Sequence, residues 1–224
     1  MNPPLTARNT KGAKDTKGAA VPLVPAAVAV GLWFIMFSPW TAPHLNFWLS
    51  MLFSACVLLS MSFGLGKDWK AQFSLTPRAV VVGILSAILL WGIFYLGNFF
   101  SNLLFDFARP QVHNIYGLRD GNNHGLIALE LLLVIGPAET VFWQGFIQRK
   151  SMDALGAWPG FIVTTLIYAF AHIWSFNFML LMAALVCGAF WGFMYMALKP
   201  RNLVPLLISH AAWDVMVFIL FPII

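Results

Sequence analysis

The chain has 224 residues, of which 60% are hydrophobic and only 9% are charged. That charge content, far below the roughly 25% of a soluble domain, excludes an ordinary water-soluble fold. The formal net charge of +5 comes without an interleaved basic and aromatic surface pattern, so nucleic acid is not an expected partner; basic residues in so apolar a chain mark cytoplasmic loops.

Residues 1–20 hold Arg8, Lys11, Lys14 and Lys17 among Thr, Gly and Ala, and read as a disordered cytoplasmic tail. Apolar runs of membrane-crossing length follow, over about 21–38, 45–65, 79–104, 125–148, 158–174, 178–198 and 203–221. They predict an all-α fold, a polytopic transmembrane helical bundle of about seven spans. Ser38-Pro39-Trp40 follows the first run in place of a small-residue cleavage site, so that run is expected to remain as a span. Trp40, Trp48, Trp69, Trp158 and Trp174 stand near span ends, where interfacial belts are expected.

Loop charges set the orientation. With the N-terminus in the cytoplasm, the inner segments hold Arg8, Lys11, Lys14, Lys17, Lys67, Lys70, Arg78, Arg149, Lys150, Lys199 and Arg201. Of the 13 basic residues only Arg109 and Arg119 are left outside, which predicts an N-in, C-out chain.

The expected domains are the tail over 1–20, an accessory three-helix bundle over 21–104, an extracytoplasmic loop over 105–124 and a four-helix functional core over 125–224. The core earns that name by its intramembrane polar groups. No internal repeat is visible, which speaks against a transporter built from inverted halves. Ala184, Gly188 and Gly192 recur every four residues and predict a close helix contact. Cys56 and Cys187 have neither metal-ligand nor disulfide spacing and read as small packing residues.

Glu139 lies in the stretch Gly136-Pro-Ala-Glu-Thr-Val-Phe-Trp-Gln, inside an apolar span. An ionisable group there costs roughly 2.5–3.5 kcal/mol on insertion scales, so it usually faces a protein interior and has a task. Two later segments carry polar groups at similar depth: Tyr168-Ala-Phe-Ala-His172 and His210-Ala-Ala-Trp-Asp214. His210 and Asp214 share one helix face, whether for chemistry or for a structural His–Asp bond. Glu130 precedes Glu139 by nine residues, on the opposite helix face, and is expected to do something different. Each group alone has a plain packing reading. Glu139, His172, His210 and Asp214 together, on three spans with little other polarity, read as a buried water-handling site.

A carboxylate in a water-poor site is a usable general base near neutral pH. Glu139 with His172 can activate a water, and His210 with Asp214 can hold the oxyanion formed when that water attacks an amide. Asp214 donates to an oxyanion only when protonated. The same four side chains can instead ligate zinc with an open position. No His-Glu-x-x-His motif is present, so metal is possible but not favoured, and no cofactor is expected.

The three segments resemble the CAAX protease and bacteriocin-processing (Abi) family of intramembrane endopeptidases. Its signature is Glu-Glu-x-x-x-Arg, then Phe-x-x-x-His, then His-x-x-x-Asn or Asp. Here Glu139-Thr140-Val-Phe-Trp143-Gln144 stands at the first motif, Tyr168 to His172 at the second and His210 to Asp214 at the third. The resemblance covers about 125–218. It implies that Glu139 is the water-activating base and that His172, His210 and Asp214 complete a glutamate-type site, with Thr140, Trp143, Gln144 and Tyr168 as supporting positions. Thr140 replaces the second Glu, Gln144 the Arg, and Tyr168 the Phe. The first two substitutions put activity in question, and the third is mild.

The resemblance implies a protease acting on a membrane-associated peptide or protein tail, with lipid as the other partner. Two other classes compete: a catalytically inactive scaffold or immunity protein binding a peptide, and a proton-coupled transporter using Glu139, His172 and Asp214 as a relay. Small size and the lack of a eukaryotic retention signal point to a prokaryotic cell membrane.

Straight helices would put Glu139 past the middle of its span toward the cytoplasm and His172 near the outer end of its own, too far apart to meet. Gly136-Pro137 offers a remedy if the helix breaks there and restarts, since Pro suits a first helical turn.

Overall fold

The computed structural model describes residues 20–198 and 200–224; all of the expected tail but Ala20, and Lys199, lie outside the described residues. All regular structure among them is helical. Eight elements follow in order: α1 (Leu23–Phe37), α2 (Phe47–Leu65), α3 (Pro77–Leu104), α4 (Ala108–Gly117), α5 (His124–Leu155), α6 (Ala157–Ser175), α7 (Phe178–Ala197) and α8 (Val204–Leu220).

The starts are written in the sequence. The side chains of Asn46, Thr76, Asn123 and Asn177 each accept a hydrogen bond from a backbone N–H in the first turn of α2, α3, α5 and α7. These caps satisfy donors that a helix start leaves free, and they let very short connections turn the chain. Gly156, at φ 93°, makes the turn between α5 and α6 in a backbone region that favours glycine.

Five helices, α2, α3, α5, α6 and α7, are long and apolar enough to cross a membrane; α1 and α8 are apolar but shorter. Large apolar side chains such as Leu85, Leu89, Leu96, Leu126 and Leu133 are exposed on the outer surface, as lipid-facing residues are. The chain is a multi-pass membrane protein, and every run read as a span is a helix.

Over 105–124, where a loop is expected, the chain forms α4. Gln111 explains its attachment. Its backbone carbonyl accepts from Asn177 Nδ2 at 2.8 Å and its Oε1 from the Met179 N–H at 3.0 Å. Tyr116 Oη accepts from the Ile223 N–H at 2.9 Å, and the Arg119 guanidinium donates to the Phe218 carbonyl. Hydropathy alone cannot find so short a helix, because its partners lie on distant elements. Trp48 belongs to the same joint. Read as an interfacial anchor, it is instead buried, and its Nε1 donates to the Leu118 carbonyl at 2.8 Å.

One apolar core crosses the expected boundary at 104. It joins Ala26 and Trp33 of α1, Leu58 of α2 and Leu90 of α3 to Phe142, Tyr168, Trp191 and Val217 of the later helices.

The helix α5 does not break at Gly136-Pro137. It widens. π-helical turns over Leu131–Ile135 and Val141–Gln148 flank one α-helical stretch, Gly136–Thr140. The Gly136 N–H reaches five residues back to the Leu131 carbonyl. A wider turn accommodates the missing N–H and the ring of Pro137 without ending the helix, which is why the expected restart is absent.

Candidate active site

Glu139 and Thr140 are neighbours on α5, so they point in directions about 100° apart and address different partners. Glu139, 5% exposed, accepts a hydrogen bond at Oε2 from the Tyr168 hydroxyl of α6 at 3.3 Å. Thr140 Oγ1 lies 3.0 Å from His210 Nδ1 of α8. The α5 stretch between the two π turns thus stands between α6 and α8 and binds to both.

His210 is held on three sides. Thr140 takes Nδ1, the Trp191 ring stacks on the imidazole with centroids 3.8 Å apart, and Asp214 Oδ2 lies 3.6 Å from Nε2. The Trp191 Nε1 donates to Ser209 Oγ at 3.1 Å, which fixes the stacked ring in turn. Asp214 approaches α5 closely because residue 136 is glycine. A Cβ there would lie 3.1 Å from Asp214 Oδ2 and 3.2 Å from the Ala211 Cα.

His172 sits in the short 3₁₀ turn that ends α6. Its Nδ1 lies 2.9 Å from the Tyr168 carbonyl, so Nδ1 carries the proton and donates. Its Nε2 accepts from Trp33 Nε1 of α1 at 2.9 Å. Both ring nitrogens are therefore taken. Among the described residues no hydrogen bond joins His172 to Glu139; Tyr168, one turn before His172, lies between them.

A cavity of about 510 Å³ collects these groups. Glu139, Tyr168, His172, His210 and Asp214 all line it, among mostly apolar residues such as Phe37, Phe94, Leu131, Met182 and Trp213. Glu139, His172, His210 and Asp214 thus line one cavity, although straight helices would have separated Glu139 from His172. Of the supporting positions, Tyr168 and Thr140 make the bonds above. Trp143 is buried beside Tyr168 and Trp33, and Gln144 is buried without lining the cavity. Glu130 does not line it either, in keeping with the separate face expected for it.

Two contributors went unseen in the sequence: Trp33 and Trp191. Both lie well inside apolar runs, away from the span ends where tryptophan has an interfacial explanation. A buried indole N–H needs an acceptor, and that was the available signal.

Among the described residues no group of three His, Cys, Asp or Glu side chains is arranged to hold a metal ion. His172 would have to give up Trp33 to become a ligand at Nε2, and His210 would have to give up Thr140 to become one at Nδ1. These bonds engage both ring nitrogens of His172 and one of His210.

Residues 122–216 match the family model described as Rce1-like, type II CAAX prenyl endopeptidase Rce1-like. Over that segment the chain is similar to the CAAX protease family. The segment runs from the cap of α5 through Asp214 of α8, so it contains every candidate residue named in the sequence, while Trp33 lies outside it. No curated protein and no solved structure matches the chain.

Proposed function

We propose that the chain is an intramembrane endopeptidase of the glutamate type. The observation that carries this reading is the convergence of Glu139, Tyr168, His210 and Asp214 on one largely apolar cavity, inside a segment of an endopeptidase family. The substrate would be a membrane-associated peptide or protein tail. A prenylated C-terminus is the leading candidate by the family's description, and the apolar lining suits a lipid-bearing chain. The setting would be a prokaryotic cell membrane, crossed seven times with the N-terminus inside.

In this reading Glu139 takes a proton from a water held in the cavity, and the resulting hydroxide attacks the scissile carbonyl carbon. The carbonyl oxygen becomes an oxyanion. His210 receives it through Nε2–H, in the tautomer in which the Thr140 hydroxyl, 3.0 Å from Nδ1, donates to that nitrogen. The 3.6 Å gap to Asp214 leaves that N–H without a short partner, so an entering substrate oxygen can take it. Asp214 orients the imidazole. When the C–N bond breaks, Glu139 returns its proton to the leaving amine. His172, with both nitrogens engaged, acts as a positioning residue for the α6 turn. No step runs through a metal.

Cleavage of a prenylated C-terminal peptide in liposomes tests the reading. Glu139→Gln should lower the rate by at least about 10²-fold, the usual scale for a general base, while the peptide still binds. Equal cleavage by both proteins would overturn it. The wild-type rate should also be indifferent to a chelator.

A further inference from the structure

Tyr168 is the one departure from the family signature that reads as mild in the sequence, and it makes the one side-chain hydrogen bond to Glu139 among the described residues. We propose that Tyr168 is the positioning residue of Glu139: its hydroxyl occupies Oε2, so that Oε1 is the oxygen turned to water. This deepens, and rests on, the protease reading above.

The argument is geometric. The Tyr168 ring cannot wander. Trp143 stands edge-on to it at 5.2 Å between centroids and His172 at 5.3 Å. On the α7 side it lies against Gly188, where a Cβ would come within 2.8 Å of Tyr168 Cδ1. The small-residue stripe of α7 thus has a specific use at this point: it lets the ring reach its place. The residue is 7% exposed and lines the same cavity as Glu139. A phenylalanine would fill the same volume and give Glu139 nothing.

The other positions around Glu139 have turned to different work. Thr140 is committed to His210, and Gln144 supplies no positive charge where the signature has arginine. A carboxylate with two equivalent free oxygens can swing. One with Oε2 held by a fixed phenol presents Oε1 in a single direction, and that is the preorganisation a general base needs. The bond leaves proton bookkeeping unchanged: the phenol keeps its proton, and Glu139 accepts one from water and returns it to the amine.

Tyr168→Phe removes the hydroxyl and keeps the ring. A hydrogen bond to a charged group is worth a factor of about 10- to 100-fold, so kcat should fall by that much, with KM within about twofold. Gly188→Ala, which keeps the hydroxyl but displaces the ring, should reproduce the loss in kcat. Wild-type kcat in Tyr168→Phe, or a loss confined to KM, would overturn the proposal.

A readout free of catalysis separates this from the protease reading. The infrared carboxyl band of Glu139, assigned by its disappearance in Glu139→Gln, should shift in Tyr168→Phe. A band that stays in place overturns the pairing whatever the chain cuts. A band that shifts in a protein that cuts no prenylated peptide overturns the protease reading and leaves the pairing standing.

Discussion

Thr140 Oγ1 lies 3.0 Å from His210 Nδ1 at a position where the family signature has a carboxylate. The hydroxyl does one thing a valine cannot: it satisfies a buried imidazole nitrogen. Thr140→Val, nearly the same shape, should leave that nitrogen unpaired and cost about 1–3 kcal/mol of stability, measured by thermal unfolding in detergent. The same variant should lower kcat, because the ring proton is no longer held on Nε2. Restoring stability without restoring turnover, by any second change, would separate the two effects. At this scale the sequence was half legible. Glu139, His172, His210 and Asp214 could be named because polar groups inside an apolar run need a reason. Their partners could not. Whether Thr140 faces His210 or Tyr168 depends on the rotation of α5, and the π turns set that rotation. His172 is the clearest case. The expected pair with Glu139 assumed a free ring nitrogen, and Trp33 and the Tyr168 carbonyl hold both.

At the scale of the element, α5 and α1 carry the argument. Gly136 lets α5 and α8 approach until Asp214 Oδ2 would touch any Cβ added there, with the Leu131 carbonyl also 3.1 Å away. Two of the three atoms met are backbone, so they yield poorly. Gly136→Ala should therefore destabilise the protein by about 1–3 kcal/mol, the range for overpacking, and should push Asp214 off His210. Unfolding measurements on the variant check the first part, and its kcat the second. Helix α1 lies outside the family segment, yet Trp33 is fully buried and its N–H ends on His172. Trp33→Phe keeps the aromatic packing with Trp143 and leaves the His172 Nε2 unpaired, at a cost of about 1–3 kcal/mol. A variant as stable and as active as the wild type would show that α1 is dispensable to the site. The Gly-Pro dipeptide was visible as an irregularity, but a break and a widened turn both satisfy a proline; only the helix packed around it decides between them.

For the whole molecule, hydropathy located each of α1–α3 and α5–α8, because lipid demands apolar side chains and internally bonded backbone from any element that crosses it. The same pattern says nothing about which helices share a core, and here α1–α3 share theirs with the site. It also passed over α4, whose fixings are hydrogen bonds to Asn177, Met179 and Ile223. An N-in, C-out arrangement is the expectation from loop charge. A cysteine placed at Asn122 should react with a membrane-impermeant maleimide from outside intact cells, and one at Lys70 only after permeabilisation; the reverse pattern would invert the topology. The central claim is that the Glu139 carboxylate hydrolyses a peptide bond inside the cavity. The direct measurement is mass spectrometry of a prenylated C-terminal peptide incubated in liposomes with wild type, with Glu139→Gln, and with wild type plus chelator. Our account predicts the same new peptide termini with and without chelator and none with Glu139→Gln. Identical products from Glu139→Gln, or products abolished by the chelator, would contradict it.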